Sequence, residues 1–327
     1  MKTRIFLLLV SILLIIYMMG PLPRKGEYTD GLKKIPYDGM ALEQWVQAKE
    51  AKANTKPDNQ ARIVWFNDSS KHKTRYAVVY LHGFSASQEE GSPVHLSFAR
   101  HLGANMYLSR LSEHGLQTEA PLMKMTATSL WESAKEAYAI GKKLGDSVIL
   151  VGTSTGGSLA LMLAAEHYPE IAGLVLLSPN IAINERFAFL LNNHWGLNIA
   201  RFVKGSEFVE SKDTSQLYRR YWNSPYRLEG AVELEQLLEE KMNKETFKEV
   251  TQPTLLMYYY KDEDNQDKVV KVAPMLEMFK ELSSKTKKQV AIPNAGDHVI
   301  GSAIKSKDWR TVQKEAEEFA DQMHWTK

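Results

Sequence analysis

Residues 147–162 read Ser-Val-Ile-Leu-Val-Gly-Thr-Ser-Thr-Gly-Gly-Ser-Leu-Ala-Leu-Met. An apolar, β-branched run ends at a glycine, a serine stands between glycines, and helix-forming residues take over at once. The pattern predicts a strand, a very tight turn and a helix, with Ser154 at the apex. A serine there must adopt a strained backbone, and Gly152 and Gly156 leave room for strand and helix to approach closely. Its hydroxyl then projects beyond the strand's carboxyl end. The helix N-terminus behind it offers free N–H groups and a partial positive charge to any developing anion.

Such a unit needs others like it beside it, and the flanking sequence supplies them. Residues 62–66 predict a first strand and residues 76–81 a strand buried on both faces. A helix over 93–102, a strand over 105–109 and a helix over 129–144 follow; after the serine unit comes a strand over 171–178. Repeated strand–helix–strand units imply a mainly parallel sheet with helices on both faces. From 181 to 250 the alternation fails. This stretch is rich in aromatics, among them Phe187, Trp195, Phe202, Tyr218, Trp222 and Tyr226, and ends in a long helix expected over about 229–248. It reads as a helical cap inserted between two strands. The sheet pattern then resumes, with a strand over 253–260, a helix over 272–282, a strand over 289–292 and a closing helix over 309–323. The core is therefore expected in residues 62–180 and 251–327.

Residues 1–22 form a separate unit. Lys2 and Arg4 precede an apolar run over 5–19, broken only by Ser11. As a helix it would rise about 22 Å, short of a roughly 30 Å hydrocarbon core. The large methionines at 18 and 19 offer no small-residue cleavage site. The expectation is a signal anchor that holds the chain at a membrane with the catalytic part exported, periplasmic or extracellular; a cleaved signal peptide and a secreted protein is the alternative. Residues 23–61 read as a linker followed by an amphipathic helix around Leu42 and Trp45. The 41 basic and 39 acidic residues give a net charge of +2, which makes no electrostatic case for nucleic acid. The chain has no cysteine, so disulfides and thiol nucleophiles are excluded.

A serine hydroxyl is a weak nucleophile at neutral pH and needs a base, itself oriented by a third group. Among nine histidines, His298 lies in the turn Gly296-Asp297-His298 directly after the final strand, on the sheet edge where Ser154 stands. The orienting carboxylate should follow the strand over 253–260. Asp262, Asp264 and Asp267 compete there. Asp267 is preferred because the chain turns apolar immediately after it, at Val269 and Val270, and can tuck back against the sheet. Charge that develops on an attacked carbonyl oxygen needs donors, and the backbone N–H groups of Thr155 and Phe84 are the candidates. His82, in the same His82-Gly83-Phe84 turn, is read as a brace for that loop.

Together, Leu81-His82-Gly83-Phe84, Gly152-Thr153-Ser154-Thr155-Gly156, the run from Asp267 to Val270 and Gly296-Asp297-His298 resemble the α/β-hydrolase superfamily. The nearest type is its monoacylglycerol-lipase and carboxylesterase group, and the likeness covers about residues 62–327. The resemblance implies an α/β-hydrolase fold with an eight-stranded sheet and a helical cap, no metal or organic cofactor, and hydrolysis of a small or lipid-like ester through an acyl-enzyme. Thioesterase, amidase or acyltransferase chemistry would suit the same residues, and a catalytically retired, membrane-tethered binding protein is the reading from another class. Two features depart from the type. Ser112-Glu113-His114-Gly115 stands where many relatives carry Gly-His-Gly, and the acid loop is longer than usual.

Overall fold

Strand-forming and helix-forming segments alternate here as a parallel sheet demands, and the chain folds accordingly. A computed structural model describes residues 2–326. In chain order the elements are α1 (Lys2–Met18), α2 (Gly39–Ala51), β1 (Arg62–Val64), β2 (Thr74–Leu81), α3 (Val94–His101), β3 (Asn105–Leu108), α4 (Ala127–Leu144), β4 (Gly145–Thr153), α5 (Thr155–Ala165) and β5 (Ile171–Leu177). Then follow α6 (Gly196–Lys204), β6 (Phe208–Val209), α7 (Gln216–Tyr221), β7 (Tyr226–Arg227), α8 (Leu228–Lys241), α9 (Lys244–Lys248), β8 (Thr254–Tyr258), α10 (Val272–Glu281), β9 (Lys287–Ala291) and α11 (Trp309–Gln322).

Seven strands form the sheet, in the order β1-β3-β2-β4-β5-β8-β9, and only β1 runs antiparallel to its neighbour. The eight strands implied by resemblance are not reached among the described residues. Ahead of Arg62 the chain forms helix α2, whose Leu42 and Val46 are buried, instead of a further edge strand. Successive side chains of β2 part to opposite faces, as period-two geometry requires. Ala77, Val79 and Leu81 join the apolar layer shared with α4 and α5, whereas Val78 and Tyr80 join the one shared with α3 and α11. The sheet is thus buried on both sides at its centre, which explains the unbroken apolar runs of β2 and β4.

Between β5 and β8 the chain leaves the sheet and builds helices α6 to α9 with the short β6–β7 pair. The long helix expected over about 229–248 is two helices. Met242 leaves helical geometry, and the Asn243 side chain accepts the Thr246 N–H at 3.0 Å to start α9, a capping preference that outweighs the helical spacing.

The expected linker is a docked strap. Lys135 of α4 is buried, and its Nζ donates to the Thr29 and Gly31 carbonyls at 2.8 and 2.9 Å. Trp131 Nε1 donates to Thr29 O at 3.0 Å, and Ile35 joins the core. The preceding helix α1 exposes apolar side chains along its length, and its C-terminal end meets α6, where Trp195 Nε1 donates to Ile16 O at 3.1 Å. No helix among the described residues is long and apolar enough to cross a membrane.

Candidate active site

Ser154 connects β4 directly to α5 with φ 53° and ψ −119°, a conformation L residues avoid and the sheet enforces. Its N–H donates to Leu177 O at 3.0 Å, and its carbonyl accepts the Asn180 N–H at 3.0 Å, so the turn is stitched to the end of β5. The flanking glycines are sterically required. A Cβ on Gly156 would lie 1.9 Å from the Leu81 carbonyl oxygen, and one on Gly152 would lie 2.5 Å from that of Gly156.

His298 follows β9 and Asp267 follows β8, so both stand at the carboxyl ends of parallel strands beside Ser154. His298 Nδ1 lies 2.6 Å from Asp267 Oδ2. Asp267 is 1% exposed, and its other oxygen, Oδ1, accepts the N–H groups of Val269 and Val270 at 2.8 and 3.0 Å. The two valines that made Asp267 attractive in the sequence therefore hold its carboxylate through their amides. Asp262 and Asp264 stay in solvent; Asp262 bonds only within its own loop, to the Asp264 and Asn265 amides. Burial disfavours a charged imidazole at His298, yet Asp267 outweighs it with help from Glu90 and Asp297, and the His298 pKa is raised. Its Nε2 is buried and has no hydrogen-bond partner among the described residues. Ser154 and His298 line one cavity of about 980 Å³. Their side chains are not hydrogen-bonded here, a contact that in substrate-free sites often tightens only on binding.

Phe84, in the loop after β2, lines this cavity, and Thr155 follows Ser154 directly as the first residue of α5. The amide of neither donates to another main-chain carbonyl among the described residues. His82 is fully buried and braces the Phe84 loop. Its Nε2 accepts the Leu111 N–H at 3.0 Å, which leaves the proton on Nδ1 to donate to Gly83 O at 2.9 Å. Burial holds its pKa well below the usual histidine range. His114, at the departure from the family pattern, packs its ring against those of His82 and Phe84.

Leu190, Ile199, Val203 and Leu234 are among the apolar walls of the cavity. Lys305 also lines it, and its Nζ reaches Asp213 Oδ2 at 2.9 Å and Asp297 Oδ2 at 3.5 Å. Sequence reasoning missed Glu90, which lines the cavity and whose carboxyl burial pushes up to about 7. In the sequence it is one of two glutamates in a polar turn, the usual look of a solvated loop.

Comparison with known proteins identifies the family and the fold. A family model described as "Serine aminopeptidase, S33" (Hydrolase_4) matches residues 127–300, a span from α4 through Ser154 and Asp267 to His298. The thermostable monoacylglycerol lipase of Bacillus sp. (strain H-257) is 33% identical over 107 residues, which are 32% of this chain. The match spans 41% of that relative's length. Among solved structures, one from work on the metagenome-derived lipolytic enzymes LipS and LipT superposes with a TM-score of 0.66 at 17% identity, covering 82% of this chain and 99% of its own. The monoacylglycerol lipase of Paleococcus ferrophilus gives 0.56 at 16% identity, covering 79% and 98%. These likenesses concern the fold. With its family match extending over more than half of its length, the chain belongs to the S33 serine aminopeptidase family of α/β-hydrolases.

Proposed function

We propose that this protein hydrolyses carboxylic esters, with Ser154 as nucleophile, His298 as base and acid, and Asp267 as the orienting carboxylate. The observation that carries this reading is the Asp267–His298 pair: His298 lines one cavity with Ser154, and its Nε2 has no hydrogen-bond partner among the described residues. Ser154 Oγ attacks the acyl carbon while its proton passes to His298 Nε2, and Asp267 stabilises the imidazolium that forms. The carbonyl oxygen becomes an anion held by the Phe84 and Thr155 N–H groups. When the tetrahedral species collapses, the bond to the alcohol oxygen breaks, and the alcohol leaves with the proton from His298. The acyl group now rests on Ser154 Oγ. Water repeats the cycle: it gives a proton to His298, attacks the acyl carbon and releases the acid, and Ser154 recovers its hydrogen.

The apolar walls at Leu190, Ile199 and Val203 suit an acyl chain, in keeping with lipase-type relatives, and residues 181–250 would act as the cap over it. We further propose that residues 5–19 anchor the chain at a membrane with the catalytic part exported. Support comes from the exposed apolar side chains of α1 and from Phe189, Ile199 and Phe202, exposed on the part of the cap that grips α1. The description of the matching family favours a second reading, cleavage of an amide bond by the same residues.

The test is hydrolysis of p-nitrophenyl esters from acetate to palmitate by wild type and Ser154→Ala, with aminoacyl p-nitroanilides in parallel. Turnover of the esters that vanishes in the variant supports the proposal. Faster turnover of anilides would replace it with the amide reading, and a folded wild type that cleaves neither would leave a binding protein.

A further inference from the structure

The chemistry above employs one buried carboxylate. A second, Glu90, is 2% exposed and lines the same cavity as Ser154 and His298. Isolating a carboxylate from water is costly, and no lysine or arginine pairs with Glu90 among the described residues. What it does touch is specific. Glu90 Oε2 accepts the Gly83 N–H at 2.5 Å and the Tyr80 hydroxyl at 3.3 Å. The same hydroxyl lies 3.0 Å from Thr153 Oγ1. Thr153 directly precedes Ser154, and Gly83 directly precedes Phe84. One carboxylate therefore spans the two backbone stretches that present the Thr155 and Phe84 amides. A Cβ on Gly83 would lie 2.7 Å from Glu90 Oε1 and 3.1 Å from Ser154 Cβ, so carboxylate, glycine and serine crowd one point.

Gly83 is the weak link in this loop, because a residue without a β-carbon has few steric limits on its backbone angles. Its two flanking peptide planes are held from opposite sides. His82 takes the Gly83 carbonyl, which shares its plane with the Phe84 N–H, and Glu90 takes the Gly83 N–H, which lies in the plane before. With both planes fixed, the Phe84 N–H has one direction. Glu90 is 2% exposed, so water does not compete for this contact.

We propose that Glu90 is the positioning residue of the oxyanion loop: by holding the Gly83 N–H it aims the Phe84 N–H at the acyl oxygen of a substrate bound at Ser154. The inference rests on the serine-hydrolase reading. It requires an acceptor that reaches Gly83, whatever its charge. Glutamine keeps that reach and aspartate falls short of it.

Steady-state kinetics of the full chain on a p-nitrophenyl ester, for wild type, Glu90→Gln, Glu90→Asp and Glu90→Ala, decide the matter, with thermal melts to establish folding. Expected is a fall in kcat of about 10²-fold for Glu90→Asp and Glu90→Ala, the scale of a lost oxyanion donor, with KM within about threefold. Glu90→Gln should stay within about tenfold of wild type. Should Glu90→Ala fail to fold, the Asp and Gln variants carry the comparison. A kcat for Glu90→Asp within about threefold of wild type, a Glu90→Gln as impaired as Glu90→Asp, or a loss confined to KM would overturn the proposal. A wild type that turns over no ester overturns the functional reading and this inference together; an active wild type with an indifferent Glu90→Asp overturns this one alone.

Discussion

Asp267 and His298 stand 31 residues apart in the chain, yet Oδ2 of one lies 2.6 Å from Nδ1 of the other. Two neighbouring parallel strands, β8 and β9, deliver them to the same edge. Because the Val269 and Val270 amides occupy Oδ1, the oxygen left for the imidazole is Oδ2. The carboxylate is therefore fixed in rotation as well as position, which is what an orienting group must be.

Replacing Asp267 with asparagine keeps the shape of the side chain and inverts the demand on the imidazole. The Nδ1 proton loses its anionic acceptor, and the tautomer with an available Nε2 lone pair loses its support. We expect kcat to fall by about 10³–10⁴-fold. Asp262→Asn, in an exposed loop and bonded only to its own neighbours, should stay within about twofold. Equal losses at the two positions would reassign the acid.

The base must be neutral to accept a proton. Asp267 raises the His298 pKa above the ordinary 6.5 against the opposing pull of burial, so kcat/KM should climb with pH through a midpoint above that value. In Asp267→Asn the favourable charge is gone while burial remains, and the midpoint should move to lower pH. A pH–rate profile of the residual activity reads this directly, and an unmoved midpoint would contradict the assignment.

Acid should unfold the chain through other histidines. Burial lowers the pKa of His95 and His114 from 6.5 to about 4. Stability is full above 6.5 and declines as pH falls toward 4, because the unfolded chain takes up protons that the folded one refuses. Glu90 acts in the opposite sense. Its carboxyl, raised from 4.5 to about 7, holds a proton in the folded chain and offsets one histidine across that window. The histidines outnumber it. In urea unfolding across pH 4 to 6.5, His114→Asn should flatten the slope by about 1.4 kcal/mol per pH unit; an unchanged slope would mean that His114 is not held neutral.

Gly156→Ala tests the serine turn mechanically. The added methyl would lie 1.9 Å from a backbone carbonyl oxygen of β2, which cannot rotate away as a side chain would. We expect destabilisation of about 3 kcal/mol or more, or an insoluble chain, measurable by thermal melts and by expression. A stable, active variant would contradict the close packing of α5 against β2.

How much of this could be read from residues alone follows from how local each feature is. The strand–serine–helix unit was legible because propensity, glycine spacing and helix onset agreed over sixteen consecutive positions. The succession of strands and helices along the chain followed from alternation, and Asp267 stood out from Asp262 through the valines after it. The break at Met242 and Asn243 was hidden because helical spacing continues across it, and only the cap at Asn243 reveals the new start. Glu90 was invisible for a different reason. Its significance lies in Gly83 and Tyr80, and contacts across a loop leave no periodicity in the sequence. The helix around Leu42 was legible, but the residues ahead of it misled in the same way, since polar, irregular sequence reads as linker whether or not a partner surface waits for it.

That last stretch has a practical bearing. Thr29 and Gly31 supply carbonyls to the buried ammonium of Lys135, Thr29 also receives the Trp131 indole, and Ile35 lies inside the protein. Someone paring the molecule down by eye would cut at Arg62, where the sheet starts, and would throw away part of its interior. A minimal version that keeps this interior has to begin ahead of Thr29.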